Sequence, residues 1–202
     1  PLNSPQPFET IERMVKFHGE NGIFGAGTVL KEYDVYRVQE VGGKIIVSPN
    51  LNTLVVKKTK ELFYTSFGKY MGKNKSIYGK RIKWVNYPTH VRHIYVRLFS
   101  NSNMAKIYIE LQHKDDEIRS LYFEQFKQLK SAFENCVGSW IWIGYAQNEL
   151  NQSSSRIEKE IQNVNIFDKN TWSVIFHFFE ENLIKFDAFW IDFKDLFKQL
   201  DD

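Results

Sequence analysis

The stretch that most constrains the fold is Ala105–Cys136, AKIYIELQHKDDEIRSLYFEQFKQLKSAFENC. From Ala105 to Gln112 apolar and polar residues alternate. Ala105, Ile107, Ile109 and Leu111 fall on one side, and Lys106, Tyr108, Glu110 and Gln112 on the other. Successive side chains of a strand point to opposite faces, so the spacing predicts a half-buried strand. After His113 the period changes. Ile118, Tyr122, Phe126, Leu129, Phe133 and Cys136 recur every three or four residues, which predicts one amphipathic helix. Asp115 or Asp116 can cap it, because a short carboxylate satisfies the free N–H groups of the first turn. A strand feeding such a helix nucleates an α/β or α+β domain.

Composition narrows the class. The chain has 202 residues, a formal charge of +3 and 16% aromatic residues, including 17 Phe and 5 Trp, enough rings for a substantial core. The mild charge does not by itself call for nucleic acid. One cysteine, Cys136, excludes an intramolecular disulfide framework and fits a reducing compartment. Its place on the apolar stripe predicts a small core residue. There is no membrane-length apolar run and no basic-then-apolar leader, and the chain opens on Pro1 rather than Met. The expectation is a bacterial-type cytoplasmic protein with no membrane partner, its natural start lying before Pro1.

Residues 1–58 read as alternating strands and helices. Pro7 suits the first helical position, and Ile11, Met14, Val15 and His18 form a face that ends at Gly19. Ile23–Leu30 predicts a strand, Tyr33–Val41 a helix stopped by Gly42-Gly43, and Lys44–Val47 a β-branched strand. Another helix starts near Asn52. This order implies βαβ units and a parallel sheet. The motifs PLNSPQ, GAGTVLK and IVSPN, in that order and spacing, resemble part of the class I 2-dehydro-3-deoxy-phosphogluconate and phosphogalactonate aldolases. That family is a (β/α)₈ barrel that cleaves keto-deoxy sugar acid phosphates through a Schiff base. The resemblance places Thr28 and Pro49 in a substrate-pocket remnant. It puts the catalytic carboxylate ahead of residue 1 and the Schiff-base lysine on a later strand, and nothing after residue 60 matches that lysine's motif. Lys44 reads as a surface residue, and the fragment is expected to be inactive, with the open strand edges of an incomplete barrel.

No linker separates this piece from residues 59–202; VVKKTKELFYTSFGKYM reads as one helix across the junction. LFYTSFGKYM, IKWVNYPTHVRHIYVRL, the organising stretch, WIWI, NTWSVIFHFF and FDAFW together resemble a bacterial domain of unknown function, family number 4268. The resemblance loosely implies a restriction-endonuclease-like fold. In such folds a carboxylate followed two residues later by Lys, Gln or Glu sits on a central strand and helps hold a divalent metal. Glu110 and Gln112 have that spacing and oxygen ligands suit Mg²⁺, but His93–Phe99 offers no second carboxylate. The competing expectation places both residues on the wet face of an antiparallel sheet.

The residues themselves predict strands at Ile82–Tyr87 and His93–Phe99, which make an antiparallel meander with the organising strand. Trp140–Tyr145 is the most hydrophobic strand and is expected to be central or well covered. Asn148–Ser155 reads as a loop and Arg156–Val164 as a short polar helix or turn. Asp168 or Asn170 then caps a stripe from Trp172 to Leu200, one long helix or two with a bend near residues 182–187. Its aromatics read as core, any surplus serving a homo-oligomer contact. The fold class expected is α+β: an antiparallel sheet with a long packed helix and a C-terminal aromatic-rich helix, after a βαβ-type partial-barrel fragment.

One charge feature stands out. Lys69, Lys73, Lys75, Lys80, Arg81 and Lys83 follow one another with no acidic residue between them and with Tyr70 and Tyr78 interleaved; Lys57, Lys58, Lys60, Arg92 and Arg97 flank them. Basic groups displace counterions from phosphates and aromatic rings stack on bases, so this is a candidate nucleic-acid surface; its alternative is a solvated helix face and loop. His90, His93, His113 and His177 lack metal-ligand spacing, although His113 could join a polar site with Glu110. The expectation is a non-catalytic or accessory module binding nucleic acid or protein and needing no cofactor. The alternatives are a degenerate metal-dependent nuclease, which would use Mg²⁺, and an inactive aldolase remnant.

Overall fold

The computed structural model describes residues 1–19, 21–48, 53–147 and 152–200. The protein is a mixed α+β chain, with a four-stranded antiparallel sheet, a small parallel sheet and no barrel. Its order is α1 (Pro7–His18), β1 (Gly25–Gly27), α2 (Glu32–Glu40), β2 (Ile45–Val47), α3 (Thr53–Met71), β3 (Ile94–Ser100), β4 (Met104–Leu111), α4 (Asp116–Gln128), α5 (Lys130–Val137), β5 (Ile141–Gln147), β6 (Ser153–Gln162) and α6 (Trp172–Lys198). Two compact units divide it. One takes residues 1–67, 100–104 and 162–175, and the other residues 68–99, 105–161 and 176–202.

In the first unit β1 and β2 pair in parallel, Gly25 against Ile45 and Gly27 against Val47. A Cβ at Gly25 would lie 1.9 Å from the Ile45 carbonyl oxygen, so the close pairing needs glycine there. Ile11, Ala26, Val29, Val35, Val38 and Val55 form the core between α1, α2 and α3. The other edge of β2 is not open. Ile46 N–H donates to Phe167 O at 3.4 Å, Lys169 N–H donates to Lys44 O at 2.7 Å, and Ile45 bridges Asp168 antiparallel. The expected bare strand edge is thus covered at this point.

In the second unit the strand order is β3-β4-β6-β5. The alternation of the organising strand holds: Ala105, Ile107, Ile109 and Leu111 are all buried. The helices supply most of the rings of this core, and β5 adds Trp142. Phe126 meets Trp190 and Phe197 at 6.1 and 4.3 Å between centroids, and Phe133 meets Phe189 and Trp142 at 5.1 and 5.6 Å. Asp115 caps α4, accepting from the N–H groups of Glu117 and Ile118. The C-terminal stripe is one unbroken helix from Trp172 to Lys198.

Several local expectations are corrected. Ile82–Tyr87 is no strand but carries a 3₁₀ turn at Trp84–Asn86, so β3 and β4 form a hairpin rather than part of a meander. Its side chains bond elsewhere: the Trp84 indole donates to Asn74 O at 3.2 Å and the Tyr87 hydroxyl to Asp187 at 2.7 Å. The predicted helix of Ile118–Cys136 breaks at Leu129, whose N–H reaches both Gln125 O and Phe126 O. Cys136 is exposed, not core. The WIWIGY strand lies at the sheet edge, paired with β6 alone among the described residues; Trp142 packs inward while Tyr145 is 62% exposed. Arg156–Val164 does not form a helix or turn. Residues 153–162 are inner strand β6, with Ile157 buried on the core side and Arg156 and Glu158 alternating opposite it. Of the predicted loop Asn148–Ser155, residues 148–151 lie outside the described residues, and the remainder begins β6.

Candidate functional site

Glu110 does not sit on a wet face. It is 2% exposed, covered by charged partners on the sheet side opposite the helices. Arg156 donates to its Oε1 from Nη2 at 2.9 Å and from Nε at 3.2 Å. The Gln112 amide donates to Oε2 at 2.7 Å, and Arg97 Nε lies 3.6 Å from the same oxygen. Beside it Lys106 pairs with Glu158 at 2.7 Å and Glu160 at 3.2 Å. Burial opposes charge on Lys106, but the hydrogen bonds and charges of Glu158 and Glu160 outweigh this and raise its pKa. These contacts make a ladder of alternating charge across β3, β4 and β6, in which each buried ion has an opposite neighbour.

The ladder fixes what Glu110 can do. Both its oxygens already accept from guanidinium or amide N–H groups. Among the described residues no group of three or more His, Cys, Asp or Glu could hold a metal ion. A divalent cation wants free carboxylate oxygens. The donor set around Glu110 and Gln112 does not fit Mg²⁺, and no chemistry is derived through it. His113 does not bond Glu110; its Nδ1 accepts from Asp115 N–H at 3.0 Å.

The basic run is largely gathered on one loop. Lys69 lies on α3, and Lys73, Lys75, Lys80, Arg81 and Lys83 on residues 72–83 between α3 and the 3₁₀ turn; all six are exposed. Lys73 is engaged, 3.3 Å from Glu180 and over the Tyr70 ring at 4.2 Å; its pKa is raised chiefly by the Glu180 hydrogen bond. The other five make no ion pair within the described residues. Tyr78, at 67%, and Ile77 are exposed between them. The loop closes on itself through Ser76 N–H to Lys80 O at 2.8 Å and Gly79 N–H to Ser76 O at 2.7 Å, with Gly79 at φ 74°.

Two acidic residues of α6 hold this loop. Asp187 accepts from Ile77 N–H at 2.8 Å and from the Tyr87 hydroxyl. Burial, and then the Asp187 bond, push the Tyr87 phenol far above its ordinary pKa. Glu180 accepts from Asn74 at 2.7 Å and from Tyr70. Neither anchor could be read from the sequence, because each lies more than a hundred positions from the loop it holds.

A separate cleft of about 480 Å³ opens where β3 begins and β4 ends, lined among others by His93, Tyr95, Gln112, His113, Lys114 and Ser153. The sequence pointed to His113 but not to the cleft.

Of the two residues of the aldolase-like pocket remnant, one lies among the described residues. Thr28 sits at φ 60°, a left-handed conformation, and Pro49 lies outside the described residues. A cleft of about 540 Å³ in the first unit is lined by Lys16, Phe17, His18 and Lys44, among others, but not by Thr28. Among the described residues no helix is long and apolar enough to cross a membrane.

A family model described as Domain of unknown function (DUF4268) matches residues 59–194. The chain is also similar to a probable 2-dehydro-3-deoxy-6-phosphogalactonate aldolase of Rhizobium meliloti (strain 1021), at 47% identity over 57 residues, 28% of this chain and 27% of that protein. It is 40% identical over 58 residues to the 2-dehydro-3-deoxy-6-phosphogalactonate aldolase of Escherichia coli (strain K12), 29% of this chain and 28% of that protein. The chain thus spans little more than a quarter of the curated relatives it matches. No solved structure matches it significantly.

Proposed function

We propose that this chain, which belongs to the DUF4268 family of unknown function, is a nucleic-acid-binding accessory module that grips the phosphate backbone through the loop of residues 72–83. The observation that carries the reading is this loop: Lys75, Lys80, Arg81 and Lys83 are exposed without ion pairs around the exposed Tyr78 ring, on a backbone held by Asp187. Unpaired basic groups release counterions from phosphates, and an exposed phenol ring offers a base a stacking surface. A solvated loop would need neither the anchor nor the clustering. Lys69, one turn back on α3, extends the basic track. Glu110, locked by Arg156, takes the role of a structural ion pair.

The test is fluorescence anisotropy of labelled single-stranded and duplex DNA and RNA across a salt series with Mg²⁺ present, with substrate integrity read on a gel. Four phosphate contacts on a single strand predict a slope of log affinity against log salt of about −3. Lys80→Glu/Arg81→Glu should reduce that slope to about half. Binding indifferent to salt, or unchanged in the double variant, overturns the proposal; cleavage of the intact substrate would restore the nuclease reading.

A further inference from the structure

The cleft between the start of β3 and the end of β4 stands apart from the basic loop, and its chemistry is different. Three flat rings line it. His93 and His113 meet edge to face with centroids 4.5 Å apart, and Tyr95 is backed by the Arg97 guanidinium, 4.6 Å from its ring centroid. Tyr95 remains 38% exposed. His93 sits at φ 63°, a left-handed conformation uncommon for a residue with a side chain.

The polar groups of the cleft have defined polarity. His113 Nδ1 accepts from Asp115 N–H, so the neutral ring carries its proton on Nε2 and can donate. Gln112 spends its amide N–H on Glu110, which leaves its carbonyl oxygen as an acceptor. Ser153 adds a hydroxyl that does either, and Lys114 adds an exposed ammonium with no ion pair among the described residues. Among the described residues lining the cleft none is a carboxylate. The nearest acid on β4, Glu110, is already neutralised by Arg156.

Rings for a π-face, paired donors and acceptors for a heterocycle edge, and a cation that makes no ion pair among the described residues are what a nucleotide requires. A simple carboxylic acid would use the lysine and leave the rings idle; a hydrocarbon would desolvate every polar group in the cleft. The volume of about 480 Å³ falls within the range of small-ligand sites. We infer that this cleft binds a nucleoside 5′-phosphate, with Tyr95 as the stacking ring, Gln112 and His113 at the base edge and Lys114 at the phosphate. The nucleotide is either free or the unpaired terminal residue of a strand. The inference does not depend on the basic loop.

The test is isothermal titration calorimetry of the whole chain with AMP, GMP, CMP and UMP, with inorganic phosphate and the unphosphorylated nucleosides as controls. Saturable binding of at least one nucleotide is expected, about tenfold weaker in Tyr95→Leu through lost stacking and weaker again in Lys114→Gln. Lys80→Glu/Arg81→Glu should leave mononucleotide binding unchanged, so this inference and the loop reading fail separately. An oligonucleotide with an unpaired 5′-phosphorylated end identifies the source: an affinity that drops in Tyr95→Leu marks the strand end, and one that does not marks the free nucleotide. No saturable binding by about 1 mM ligand, or binding of inorganic phosphate just as tight and insensitive to Tyr95→Leu, overturns the inference.

Discussion

Asp187→Ala tests the reasoning about the loop without changing any basic residue. Asp187 is 3% exposed and accepts two hydrogen bonds, from the Tyr87 hydroxyl at 2.7 Å and from Ile77 N–H at 2.8 Å. Truncation removes both acceptors at once. Hydrogen bonds to a charged group contribute about 1.5–3 kcal/mol each, and a donor stranded in the interior keeps its desolvation penalty. Relief from burying the carboxylate offsets part of this, which leaves a net loss of about 2–4 kcal/mol. Against a typical stability of about 5–15 kcal/mol the variant still folds. Tyr87→Phe removes one of the two bonds and should cost about 1.5–3 kcal/mol. Releasing Ile77 unties the backbone that carries Lys75, Tyr78 and Lys80. Nucleic-acid affinity should then fall about fivefold to tenfold, because ordering the loop must now accompany binding. Urea unfolding followed by circular dichroism gives the first quantity, and anisotropy at a temperature where the variant is folded gives the second. A variant within about 0.5 kcal/mol of the parent would refute the buried-anchor argument. A destabilised variant with unchanged affinity would refute the link between anchor and binding.

Two further outcomes are expected. Glu110→Ala leaves Arg156 facing an empty position and should destabilise by about 3–5 kcal/mol, measured by the same unfolding titration; a neutral result would mean the charge ladder is solvated. Glu180 supplies a pH signature. Burial pushes its carboxyl up, but hydrogen bonds from Tyr70, Asn74 and Lys73 outweigh that and hold it below the usual 4.5. A depressed folded-state pKa means stability that is present above pH 4.5 and lost as pH falls through the folded value. Unfolding free energies measured from pH 6 down to about 3 should therefore drop more steeply in the parent than in Glu180→Gln, and parallel curves would rule the contribution out.

What could be read from the residues was local. The organising strand was legible because its four apolar side chains share one parity, and the α4 cap because Asp115 reaches N–H groups two and three positions away. The junction helix was legible because no proline interrupts it and its one glycine, Gly68, falls in the last turn. What could not be read was settled by partners far along the chain. β6 looked like a polar helix or turn because Arg156 and Glu158 are charged, yet their counter-ions Glu110 and Lys106 arrive from β4. β5 looked central because WIWIGY is apolar, although hydrophobicity does not say whether both sides of a strand will be covered. Cys136 kept the period of the stripe, but in α5 it is Phe133 and Val137 that face the core. The basic cluster was visible as a run of charge, whereas its anchors Asp187 and Glu180 were visible only once α6 was in place.

The covered edge of β2 has a consequence for how the chain is made. Ile46 finds Phe167, and Lys44 finds Lys169, only after about 120 further residues have left the ribosome. At roughly 5–20 residues per second the short parallel pair waits on the order of ten seconds with one edge unsatisfied. An unpaired strand edge is a template for other chains during that interval. The aldolase-like segment is therefore least protected while it is being synthesised, and its safety depends on how fast the ribosome reaches residue 169. Slowing translation between β2 and that point should lower soluble yield without altering a single contact of the finished protein.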